Sequence, residues 1–212
     1  MKIRGYIIFA FAFFAFTTSV MAQRAKAPAA KDYFPLRVGD SWKYRMIDED
    51  AEYTVKVLSA ETQSDGTTLY LLEKLAGVEI HDWYSKTDGW VLMHKEAYPK
   101  QEGIEVKYEP ARQYLKNPLT AGATWKWKGK TIVQTVGEES NQVIGPEVVK
   151  VPAGTFQAMK VVSHVSDGDT AMTKTYWYAN GVGLVKWAAE GGQIKYGWEL
   201  VDYSFKKPDT KR

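Results

Sequence analysis

From Ser41 onward the chain alternates apolar and polar residues with a period of two. Trp42, Tyr44 and Met46 interleave with Ser41, Lys43 and Arg45, and Tyr53, Val55 and Val57 interleave with Glu52, Thr54 and Lys56. Successive side chains on an extended strand point to opposite faces, so each run predicts a strand with one dry face and one wet face. The same period returns in Ile104, Val106 and Tyr108, in Trp125 and Trp127, and in Ile194, Tyr196, Trp198 and Leu200. In "TLYLLEKL" both faces are apolar: Thr68, Tyr70 and Leu72 point one way, Leu69 and Leu71 the other. Between the runs stand Ser64–Gly66, Thr87–Gly89, Ser166–Gly168 and Ala179–Gly181. Their Asp-Gly and Asn-Gly steps accept the positive φ of tight turns that join antiparallel strands. Helical periodicity is nearly absent. "PARQYLK", Pro110 to Lys116, is the best helix candidate and predicts at most two turns. The pattern predicts an all-β antiparallel meander, curled into a half-barrel or open barrel.

The meander reads as internally duplicated. "PLRVGDSWKY", Pro35 to Tyr44, and "PLTAGATWKW", Pro118 to Trp127, share Pro-Leu-x-x-Gly-x-x-Trp-Lys-aromatic in register. A second pair follows in the same order: "WYSKTDGWV" from Trp83 and "WYANGVGLV" from Trp177 share Trp-Tyr, a glycine and the closing Val. The offset is 83 residues for the first pair and 94 for the second, which places an insertion in the second half near "EESNQVIGPEVVKVPAG". Two tandem units are expected, about 33–109 and 114–205, fused into one β domain over 33–205 because neither hides both faces of its strands alone. Within the motif, Pro fixes the entry, Leu anchors it, Gly permits the bend, and Trp and the next aromatic face one side of the strand. Core packing explains that pattern; so does stacking on a ligand, which makes Trp42, Tyr44, Trp125, Trp127, Trp83 and Trp177 the candidate binding residues.

Lys2 and Arg4 followed by the uncharged run Tyr6–Phe16 and by "TTSVMAQ" read as a secretory signal ending near Ala22, too short for a membrane span. Residues 1–22 are therefore expected to be removed, with no integral span left, and the product to be periplasmic or secreted. Residues 23–32 read as a flexible linker and 206–212 as a polar tail. The chain has no Cys, so it lacks both disulfides and a cysteine to anchor a lipid. The leader holds two of the 28 Lys and Arg and none of the 25 Asp and Glu, so the mature chain has a formal charge of +1, which argues against a nucleic-acid partner. Eight Trp, 13 Tyr and eight Phe suit a bulky β core.

Together "YFPLRVGDSWKY", "VPAGTFQAMKV" and "YWYANGVGLVKW" resemble a recurrent pattern in exported bacterial β proteins of unknown function. That resemblance implies an exported β protein and brings no catalytic residues. More distantly, an exported chain of curled antiparallel strands is similar to the lipoprotein-localisation factors LolA and LolB, whose half-barrels hold acyl chains, although no lid helices are predicted here.

The candidate chemistry is sparse. His81, His94 and His164 are not in metal-motif spacing, and without a thiol no zinc or cysteine-nucleophile site can be completed. Asp48, Glu49, Asp50 and Glu52, and Asp167 and Asp169, offer oxygens for calcium but read equally as hairpin tips. No catalytic constellation, metal site or cofactor is expected. The leading expectation is a noncatalytic binding protein holding an apolar or amphipathic ligand, such as a lipid, on the concave face. The alternative is a structural or interaction component of the envelope with a protein partner at its strand edges, and a weaker one is a carbohydrate-binding module using exposed Trp.

Overall fold

The computed structural model describes residues 30–101, 104–130, 136–167 and 170–206. Residues 1–22 and most of the expected linker lie outside this range, as do Gly168 and Asp169. Twelve strands follow in chain order: β1 (Ser41–Met46), β2 (Glu52–Thr62), β3 (Thr68–Leu75), β4 (Glu79–Thr87), β5 (Trp90–Ala97), β6 (Glu105–Lys116), β7 (Thr124–Lys130), β8 (Val136–Val151), β9 (Gly154–Asp167), β10 (Thr170–Ala179), β11 (Gly183–Gly191) and β12 (Ile194–Ser204). No helix occurs among the described residues. All strands join one antiparallel sheet in the order β6-β5-β4-β3-β2-β1-β12-β11-β10-β9-β8-β7. Every neighbour is a sequence neighbour except β1 and β12, which pair from Ser41↔Ser204 to Met46↔Trp198. The sheet curls until β6 and β7 approach, giving a nearly closed barrel with one seam.

Indoles bridge that seam in place of a hydrogen-bond ladder. Trp125 Nε1 donates to the Gln113 carbonyl at 2.9 Å and Trp127 Nε1 to the Pro110 carbonyl at 3.1 Å, so two β7 side chains hold β6 main chain. Their rings meet Trp90 and Tyr108 edge-on. Arg112 on β6 also reaches Glu139 on β8.

The helix expected over Pro110–Lys116 is a correction: these residues form the second half of β6. An edge strand tolerates a proline because the missing N–H falls where no neighbour needs it. Arg112 and Tyr114 then resume the period of two, and both face the lumen. Asp32, the last residue of the expected linker, lies within the described residues. Asp32 is held by Lys86 Nζ at 2.8 Å and by Asn117 Nδ2 at 2.8 Å, and its carbonyl accepts the Gly181 N–H.

The hairpin expectations hold where they can be followed. Gly66, Gly89 and Gly181 have φ of 85°, 78° and 75°. The two copies of the Pro-Leu motif open β1 and β7 and share their burial. Leu36 and Leu119 are buried, Trp42 and Trp125 are 6% and 7% exposed, and Gly39 and Gly122 both turn at positive φ. The two Trp-Tyr pairs lie on β4 and β10.

Candidate functional site

The barrel interior holds a half-open cavity of about 370 Å³. Its lining alternates along the strands as the period of two requires: Trp42 and Tyr44 from β1, Tyr53 and Val55 from β2, Leu72 and Lys74 from β3, Asp82 and Tyr84 from β4. Further round come Met93, Glu96, Arg112, Tyr114, Lys174, Tyr176, Trp187 and Trp198. One end is covered by the segment before β1. Asp32 ties it to the ends of β4 and β6 and to the β10–β11 turn, and Phe34 packs against Tyr84 and Tyr114 with ring centroids 5.2 and 5.5 Å away.

The wall is aromatic over much of its area. Tyr44 and Tyr53 stack at 4.7 Å, Tyr53 meets Trp198 edge-on at 4.6 Å, and Trp187 Nε1 donates to the Tyr53 hydroxyl at 3.1 Å. Burial pushes the phenols of Tyr44, Tyr84, Tyr176 and Tyr178 well above the ordinary tyrosine range, so they stay neutral donors.

Charges are set into this wall on β3–β5, near the seam and, with Lys174, on β10. On β3–β5, Lys74 Nζ lies 2.7 Å from Asp82 Oδ2 and 3.9 Å from Glu96 Oε2, while the Tyr98 hydroxyl donates to Glu96 Oε1 at 2.7 Å. Burial raises the Asp82 carboxyl above its usual range, opposed by Lys74 and reinforced by Glu96. Burial by itself would lower Lys74, but Asp82 and Glu96 outweigh it and hold the ammonium above an ordinary lysine. Near the seam, Arg112 Nη2 lies 2.5 Å from Glu139 Oε1, and its guanidinium sits 5.3 Å above the Tyr114 ring. Ser163 Oγ donates to Asn141 Oδ1 at 2.6 Å. Asp82 Oδ1, Arg112 Nε and Asn141 Nδ2 are buried without a hydrogen-bond partner among the described residues. Buried polar atoms left unpaired each cost about 1–3 kcal/mol, and Trp177 Nε1 on the outer face is another such atom.

Two of the six aromatic candidates border the lumen. Trp42 and Tyr44 line the cavity, each anchored at its polar tip: Trp42 Nε1 donates to the Val182 carbonyl at 2.7 Å and the Tyr44 hydroxyl to the Leu184 carbonyl at 2.9 Å. Trp125 and Trp127 face inward at the seam. Trp83 and Trp177 lie on the outer face, where Lys95 covers the Trp83 ring at 3.9 Å and Lys160 and Lys186 flank Trp177. The charged residues of the lumen were not singled out. Their one visible signal is a charge on the apolar phase of a strand: Lys74 follows Tyr70 and Leu72, and Lys174 precedes Tyr176 and Tyr178.

The other chemical groups lie outside the lumen. Glu73, Glu79 and His81 are the one cluster of three potential metal ligands among the described residues, and Lys100 Nζ already sits 2.9 Å from Glu79. Ser85 Oγ and His94 Nε2 are 2.7 Å apart, but Ser85 is fully buried and cannot meet a substrate. Asp48, Glu49 and Asp50 form an exposed hairpin turn, and Glu52 pairs with Lys43.

Fold and lumen together define a class: a nearly closed twelve-stranded antiparallel barrel with an aromatic interior that carries buried charge. A family model described as DUF3108-like matches residues 98–189, from just before β6 into β11. Among solved structures, the chain is similar to a candidate exported protein with a YmcC-like fold from Bacteroides fragilis. The two are 14% identical, with a TM-score of 0.54, over 82% of this chain and 100% of that one. Also similar are a candidate lipoprotein from Parabacteroides distasonis, 13% identical at a TM-score of 0.48 over 84% and 100% of the two chains, and the hypothetical lipoprotein YmcC from Escherichia coli, 10% identical at 0.40 over 77% and 84%. At 14% identity the likeness to the Bacteroides fragilis protein is one of fold alone. No curated protein shows significant similarity to the chain.

Proposed function

We propose that the chain is an exported, noncatalytic binding protein whose barrel lumen holds a compact amphipathic ligand. The observation that carries this reading is the cavity of about 370 Å³, walled by Tyr44, Tyr53, Tyr176, Trp187 and Trp198 and carrying Lys74, Asp82, Glu96, Arg112 and Lys174. A barrel built only for stability fills its interior with packed side chains, because a void forfeits dispersion contacts and buried charge costs several kcal/mol of desolvation. A cavity near the small end of the range for ligand sites, apolar with a few convergent polar groups, is what small-molecule recognition uses. Its size favours a compact ligand over a long acyl chain. Export is supported by the basic and apolar leader over residues 1–22.

The test is uptake of the neutral dye N-phenyl-1-naphthylamine by the mature chain, with native mass spectrometry of protein recovered from its producing cells. The expected result is saturable dye fluorescence at one site per chain and a co-purifying small molecule. A bare mass together with no dye uptake would overturn the reading.

A further inference from the structure

Within the lumen the charges are distributed unequally. Lys74 is engaged by two carboxylates, and Arg112 is engaged by Glu139. Lys174, which lines the same cavity from β10, has no carboxylate within ion-pair distance among the described residues. Six places separate β4 from β10 in the twelve-strand order, so Asp82 and Lys174 occupy opposite walls and the Asp82 carboxylate does not serve Lys174.

The surroundings of Lys174 are rich in donors. In the strand register Lys174 pairs with Ser163, and Ser163 pairs with Asn141, which puts the three in one inward-facing row across β10, β9 and β8. Asn141 is 7% exposed, its amide oxygen takes the Ser163 hydroxyl, and its amide nitrogen is left unpartnered. Glu139, two residues before Asn141 on the same face, holds Arg112 at the edge of this row, and Arg112 Nε is the second buried donor without a partner. Burial lowers the Lys174 ammonium below the ordinary lysine range, and the Arg112 charge adds to that shift while Glu139 opposes it. A cation in a desolvated wall with no carboxylate in contact is costly and becomes more favourable when an anion and its hydrogen bonds complete it.

We propose that the ligand of the lumen carries an anionic group, seated on Lys174 with Asn141 and Arg112 beside it, while its apolar body lies on the wall of Tyr176, Trp187 and Trp198. This rests on the lumen being a ligand site.

Two dyes with one aromatic body separate the two readings. N-phenyl-1-naphthylamine is neutral, and 8-anilinonaphthalene-1-sulfonate adds one anionic group. Wild type, Lys174→Met and Lys174→Arg are titrated with both, and unfolding midpoints are recorded alongside. Met matches the lysine stem in volume, so this variant is expected to fold with an undiminished midpoint. It should lose about tenfold or more in affinity for the sulfonate dye and less than about twofold for the neutral one, because removing one partner of a desolvated ionic contact acts on the charged ligand alone. Lys174→Arg should retain sulfonate binding. Equal sulfonate affinity in wild type and Lys174→Met would overturn the anion assignment and leave the lumen site standing. Failure of wild type to bind either dye would overturn both.

Discussion

Removing Lys74 is the sharpest test of how the lumen holds its charge. In Lys74→Met the Asp82 side chain, 1% exposed, loses the ammonium 2.7 Å from Oδ2 and keeps only the Tyr84 hydroxyl at 3.4 Å, with Glu96 now unopposed nearby. Breaking a buried pair from one side costs about 3–5 kcal/mol. A ceiling follows from proton uptake. The folded variant can always protonate Asp82, and doing so at pH 7 against the ordinary value of 3.8 costs about 4.4 kcal/mol, at 1.36 kcal/mol per unit. At pH 5 the same step costs about 1.6 kcal/mol. The destabilisation should therefore fall from about 3–4 kcal/mol at pH 7 to below about 2 kcal/mol at pH 5, read as urea unfolding free energies at the two pH values. Adding Asp82→Asn should recover most of the loss at pH 7. A deficit that is the same at both pH values would refute the argument, since it would then come from lost packing and not from a stranded carboxylate.

Two other perturbations probe the frame around the lumen. Trp42→Ala and Trp125→Ala each remove a nearly buried indole and one N–H bond to a main-chain carbonyl, so each should cost about 3–5 kcal/mol in denaturant unfolding. Of the two, only Trp125→Ala should speed amide exchange in β6, because Trp125 bridges the seam and Trp42 does not. Asp32 gives a pH signature at the covered end. Burial works to raise its carboxyl, but Lys86, Asn117 and the Phe34 N–H outweigh it and hold the group below its usual value of 3.8. The stability it confers is thus present above that value and lost as pH falls through the folded one. Since the side chain is 40% exposed, Asp32→Asn should cost less than about 1 kcal/mol at pH 7, and the difference from wild type should vanish in acid unfolding measured below the folded value.

What the sequence determined is local. A period of two in polarity can only be satisfied by strands with one buried face, and Asp-Gly or Asn-Gly steps between them make hairpins, so an all-β antiparallel meander was legible along the described chain. The Pro-Leu-x-x-Gly-x-x-Trp motif was legible as a buried turn and strand start, because each of its residues acts on its immediate neighbours. Pro110 misled for the same reason. A proline reads as a helix start or a strand breaker until it is known to lie on an edge strand, and edge position is a property of the whole sheet.

Only the tertiary structure decided which aromatics face a cavity. Trp42 and Trp83 belong to equally plausible strand patterns, yet closure of the barrel turns one toward the lumen and leaves the other outside beneath Lys95. The charged part of the site was hidden for a further reason. Lys74 and Asp82 approach through neighbouring strands, Arg112 and Glu139 across a seam, and Lys174 owes its isolation to being half a barrel away from Asp82. Pairing across a closed sheet is set by register and curvature summed over every strand, and no single stretch of sequence carries that sum.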